Sequence, residues 1–166
     1  MVCTSDLLPA KTPEVTVFDF RPHCTPCLWC CHGERVFVSP KEQRALGEDR
    51  FGNSPAREEA PCEKLNTATG LCSIHERRPI ECRIFPLDLL VVKEQVHWVV
   101  WHGACPAVPS VPPEYLTNEM NRWDQELEPE WVQAYINHHL VNQPAKYRPG
   151  MFTVLRPYRA AKDSAQ

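Results

Sequence analysis

The chemistry-bearing residues of this chain are its cysteines. Eight of the nine fall into one ordered pattern: Cys24, Cys27, Cys30 and Cys31 form a CxxCxxCC cluster, and Cys62, Cys72, Cys82 and Cys105 follow singly. CxxC spacing lets two thiolates curl around one ion in a tight turn, and a third Cys after two more residues supplies three ligands from one short segment. Zinc sites and iron–sulfur clusters both use this arrangement. The vicinal pair Cys30–Cys31 adds a constraint, because adjacent side chains point apart in a strand and diverge by about 100° in a helix. One tetrahedral ion does not readily accept both. The pattern therefore implies two metal centres, or one centre with a free thiol beside it, and eight thiolates divide naturally into two sets of four.

Eight thiolates around two Zn²⁺ ions, or around two [4Fe–4S]²⁺ clusters, leave a buried charge of roughly −4 that nearby cations and backbone N–H groups must offset. Arg35, Arg77, Arg78 and Arg83 lie close to ligands in the sequence. Arg83, directly after Cys82, is the first candidate for that role, against the plainer reading of a solvated surface residue. His23, His32, His75 and His102 also neighbour cysteines. They read as outer hydrogen-bonding partners or half-exposed residues, since the thiolates already suffice as ligands. His138–His139 reads as an exposed pair. Trp98 and Trp101 read as core, and Trp29, inside the cysteine run, as a shield for a metal site. No nucleophile elbow and no phosphate-cradling glycine run is visible, so no enzyme class is assigned.

Composition sets the frame. A chain of 166 residues with 43% apolar content fits one domain, or one module with an extension. Its 17 prolines are about twice ordinary usage, which favours short elements and many loops. A formal charge of −3 argues against a general nucleic-acid-binding surface. No export signal and no apolar run of membrane-spanning length is seen, so the expected compartment is the cytoplasm, where thiols stay reduced.

The elements follow from periodicity and breakers. Residues 1–16 read as a flexible arm and Glu34–Ser39 as a short strand. Ser39, Pro40 and Glu42 make a capping box that opens a helix running to about Glu48. Residues 49–61 read as a polar loop. A one- or two-turn helix beginning near Pro79 places Cys82 on its inner face. Residues 87–101 suit a β-hairpin with a turn at Lys93–Gln95. Residues 114–127 and 129–142 read as two helices with an apolar seam of Trp123, Leu127, Trp131, Tyr135 and Ile136, and Met151–Leu155 as a last strand. The expected organisation is a flexible arm at 1–16, a cysteine-cluster metal-binding domain at 17–110, a helical C-terminal extension at 111–159 and a disordered tail at 160–166. The fold class is α+β: a small, irregular, loop-rich, metal-organised module with a short β-hairpin and a two-helix C-terminal extension.

The string Cys24-x-x-Cys27-x-x-Cys30-Cys31, then Cys62-x-x-Leu65, then Gly70-x-Cys72-x-Ile74-His75-x-x-Arg78-Pro79-x-x-Cys82-Arg83-x-Phe85-Pro86 closely resembles the YkgJ-type cysteine-cluster family, also called CxxCxxCC proteins and labelled zinc- or iron-chelating. The resemblance covers about residues 20–110. It implies that the eight cysteines, Cys105 included, are the chelating set. A larger relative in the same group, a flagellin lysine N-methylase, is understood as an iron–sulfur protein. Residues 106–166 match nothing nameable, so the resemblance carries no activity across. By contrast with bacterial ferredoxins, the position that would hold their Cys-Pro is Glu34.

Three readings stand at this point. The first is an iron–sulfur protein, with a [4Fe–4S] cluster as the expected type, in electron transfer or redox sensing with a protein redox partner. The second is a zinc-stabilised interaction module. The third is a modifying enzyme that depends on a cluster. All-thiolate ligation suits zinc and iron alike, and the close packing of three ligands tilts the reading toward clusters.

Overall fold

The computed structural model describes residues 18–20, 22–23, 31, 36–47, 62–142 and 150–161. The arm at 1–16, Trp29, His32 and Arg35 lie outside the described residues, as do the cysteines Cys3, Cys24, Cys27 and Cys30. What is described is α+β, with short helices and two small antiparallel sheets, as the sequence implies.

Helix α1 spans Pro40–Leu46. Its start is the anticipated capping box: the Ser39 hydroxyl accepts from the Glu42 N–H, and the Glu42 carboxylate accepts from the Ser39 N–H at 2.9 Å. Gly47 ends it in the left-handed region at φ 69°, where a Cβ would be strained. The strand expected just before it is not formed over 36–39. The Phe37 N–H goes instead to the Glu81 carboxylate, so it is not available to a ladder.

Strands β1 (Leu65–Asn66) and β2 (Leu71–Cys72) make a miniature hairpin with Leu65 opposite Cys72. Asn66 organises its turn, its carbonyl accepting from the Gly70 N–H at 2.8 Å and its side chain from the Ala68 N–H at 3.0 Å. A 3-10 turn at His75–Arg77 leads to helix α2, Ile80–Ile84.

Strands β3 (Leu87–Val92) and β4 (Gln95–Val100) form the second hairpin, in register from Leu87↔Val100 to Val92↔Gln95. Its turn is the two residues Lys93 and Glu94, both at positive φ (50° and 66°), which is the geometry that matches strand twist in a two-residue loop. Gln95 thus belongs to β4 rather than to the turn. Strand β5, Thr153–Pro157, adds to β4 and gives the order β3-β4-β5. It begins two residues later than the periodicity implies, because Met151 and Phe152 pack on a hydrophobic cluster and the Met151 carbonyl accepts from Gly103.

Helices α3 (Pro113–Glu126) and α4 (Pro129–Asn142) form where the pattern places them. All five seam residues, Trp123, Leu127, Trp131, Tyr135 and Ile136, are buried. They share one core with Ile84, Leu87, Leu89, Trp98 and Val100, so α3 and α4 pack against the hairpin. A smaller cluster of Leu90, Val99, Trp101 and Ala104 takes the other face of the sheet. Trp98 and Trp101 are core residues, 0% and 3% exposed. Their indole N–H groups are satisfied inside: Trp98 donates to Asp124 at 2.7 Å and Trp101 to Asp88 at 2.8 Å. Asp88 also accepts from the Tyr135 hydroxyl, and Asp124 pairs with Arg156 at 2.8 Å. Buried carboxylates with donors on several sides tie helix to sheet in one arrangement.

Candidate metal centre

Five cysteines of the expected ligand set lie among the described residues: Cys31, Cys62, Cys72, Cys82 and Cys105. Backbone geometry brings two distant parts of the set together, because the Cys62 N–H donates to the Cys31 carbonyl at 2.7 Å. The Leu65 N–H then donates back to the Cys62 carbonyl at 2.9 Å. That turn feeds β1, whose pairing with β2 returns the chain to Cys72. Short antiparallel pairing thus does here what a long helix could not: it folds a ten-residue interval so that its two ends are neighbours.

Electrostatics traces the cluster. Burial pushes the Cys62 thiol up, and the nearby Cys31 and Cys72 push it further, while the Lys64 and Leu65 N–H groups pull it back. The Cys82 thiol is raised more strongly, first by burial, then by the Glu81 carboxylate and by Cys62 and Cys31; the Arg78 guanidinium opposes this. Cys62 thus links the set: Cys31 and Cys72 act on it, and it acts with Cys31 on Cys82. Among the described residues, no three Cys, His, Asp or Glu side chains already stand at metal-ligand spacing. The soft-donor thiols of Cys62 and Cys82 stand in surroundings that disfavour the thiolate unless a cation joins them. This donor set fits zinc or an iron–sulfur cluster. Cys105 is buried in the turn after β4, where its N–H donates to the Trp101 carbonyl at 3.1 Å.

The arginine nearest in charge to this set is Arg78, whose Nε donates to the His75 carbonyl at 2.9 Å. Arg83 is exposed and lies over the Trp123 ring, 5.1 Å from its centroid. Of these two arginines it is Arg78, in extended backbone (φ −57°, ψ 147°) leading into α2, whose charge acts on Cys82. His23 and His75 are half-buried and His102 is exposed.

Helix α2, which carries Cys82, is only five residues long and is held by carboxylates. Glu42 accepts from the Ile80 N–H at 2.7 Å and from the Trp131 indole at 3.0 Å. Glu81 accepts from the Phe37 N–H and meets His139 Nε2 at 3.3 Å. His139 is 1% exposed, contrary to the exposed pair expected at 138–139. Its ring stacks edge-on against Tyr135 at 4.4 Å. The sequence signals for these residues are indirect: Glu42 belongs to a capping box, Glu81 adjoins the expected ligand Cys82, and Asp88 is the lone acid in an apolar strand.

The profile of the CxxCxxCC family, described as a putative zinc- or iron-chelating domain, matches residues 23–106. No curated protein and no solved structure matches the chain. The match begins one residue before Cys24, closes one residue after Cys105, and takes in all the segments that converge on Cys62.

Proposed function

We propose, from the premise that this chain belongs to the CxxCxxCC family, that it binds metal through Cys24, Cys27, Cys30, Cys31, Cys62, Cys72, Cys82 and Cys105, and that the occupant is an iron–sulfur cluster serving electron transfer or redox sensing. The observation that carries the reading is the convergence of Cys31, Cys62, Cys72 and Cys82: the Cys62 N–H donates to the Cys31 carbonyl, β1–β2 pairing brings Cys72 back beside Leu65, and Cys31 and Cys62 both act on Cys82. Such a group is unfavourable as thiolates alone and favourable around a cation.

When bound, a cluster supplies a reversible one-electron change at a potential set by its charge, its hydrogen bonds and its exposure to solvent. The chain supplies the surroundings. The Lys64 and Leu65 N–H groups favour the thiolate at Cys62, and Arg78 favours it at Cys82. The β1–β2 hairpin presents Cys72 with an exposed neighbour, Leu71, so the site lies near enough to the surface for a protein redox partner to approach.

Anaerobic purification followed by iron, sulfide and zinc analysis tests the proposal. Iron with matching acid-labile sulfide, and a broad visible absorption that bleaches with dithionite, is the expected result. A colourless protein carrying zinc would replace the cluster reading with that of a zinc-stabilised interaction module. Protein free of both metals would overturn chelation itself.

A further inference from the structure

We propose that His139, on the C-terminal helix α4, is a positioning residue for the metal centre: by holding Glu81 it sets where α2 presents Cys82. This rests on the reading of Cys82 as a ligand.

The geometry is a short chain of contacts. His139 Nε2 lies 3.3 Å from Glu81 Oε1, and the two side chains are 2% and 14% exposed. The other Glu81 oxygen takes the Phe37 N–H from the segment leading into α1. Glu81 therefore joins α4, α2 and the residues before α1 at one point, and the next residue along is Cys82. A five-residue helix cannot hold its own orientation, because most of its backbone groups are terminal and its intrinsic stability is negligible. Something outside it must fix the ligand. Glu42 fixes the first turn through the Ile80 N–H and is itself reached by Trp131 of α4. Glu81 and His139 fix the turn that bears the sulfur. Both clamps end on α4, which lies beyond the span of the family match at 23–106.

Half-buried Glu81 is approached from two other elements, by the Phe37 N–H at one oxygen and by His139 Nε2 at the other, so these contacts bear on how α2 is oriented. Outer partners that orient metal ligands change affinity by about 10- to 100-fold when removed.

The test is a titration of the full-length apo protein with cobalt(II), read by sulfur-to-cobalt charge-transfer absorption. His139→Leu is expected to weaken cobalt binding by about tenfold and to alter the band shape, while His139→Gln, whose amide still reaches Glu81, recovers wild-type affinity to within about twofold. His139→Asn stays polar but is too short to bridge, and should behave as Leu does; it serves if the Leu variant fails to fold. Ile136→Val, which trims the shared core on the same helix, should lower the unfolding midpoint and leave the cobalt spectrum and affinity unchanged. Equal cobalt binding by wild type and both bridging-deficient variants would overturn the inference, as would an equal loss in Ile136→Val. A wild-type protein showing no sulfur-to-cobalt absorption would overturn the metal reading, and this inference with it.

Discussion

Cys62 and Cys82 have thiols held above their ordinary value of 9.0 in the metal-free fold, chiefly by burial and by neighbouring thiols or carboxylate. The unfolded chain deprotonates these cysteines at lower pH than the folded one. Their neutral forms therefore favour the fold below about pH 9, and that contribution is lost as pH rises toward the higher folded values. Apo protein should show a constant unfolding midpoint through neutral pH and a falling one above about pH 9. Metal-loaded protein should not show that fall, since its thiols are already deprotonated. Chemical denaturation across pH, with and without metal, checks this; an apo midpoint that rises in that window would contradict the placement of these two sulfurs. At this scale the sequence was legible where residue type alone decides, as with the cysteines. It was silent where partner choice decides. Arg83 adjoins Cys82 in sequence, yet Arg78 acts on it, and His139 proved buried because its partner, Glu81, comes from an element 58 residues away.

The elements with strong local signals formed as read: the Ser39–Glu42 capping box, both C-terminal helices and the β3–β4 hairpin. Boundaries set by competition were not legible. The expected strand before α1 lost its Phe37 N–H to Glu81, and β5 starts late because Met151 is drawn into side-chain packing. The β3–β4 turn carries Lys93 and Glu94 at φ 50° and 66°, a conformation with a steric cost for both. Glu94→Gly should remove part of it and raise stability by about 1 kcal/mol. Thermal unfolding measures the change. A loss of stability instead would mean that the exposed Glu94 side chain makes a contact of its own.

For the whole molecule, the decisive feature is that α3 and α4 share a core with β3 and β4. Among the described residues that core includes none of the expected cysteine ligands, and it should survive metal removal. The segment from Cys62 to Cys82, by contrast, has short elements and one buried leucine, Leu65, between its cysteines, so metal should supply much of its order. After chelation, amide exchange should accelerate over 62–82 while β3, β4, α3 and α4 keep their protection. Uniform acceleration across all of them would show instead that metal holds up the entire fold. The shared core of α3, α4, β3 and β4 puts the expected border of that loosening at the start of the hairpin. Among the described residues, no helix is long and apolar enough to cross a membrane. Closure of Cys31, Cys62, Cys72 and Cys82 around bound metal is readable by X-ray absorption at the metal edge of anaerobically prepared protein. A shell of sulfur alone around iron, with an iron–iron distance beyond it, and loss of sulfur signal on Cys82→Ser, is the predicted result. A shell of oxygen or nitrogen, or a spectrum unmoved by Cys82→Ser, would contradict it.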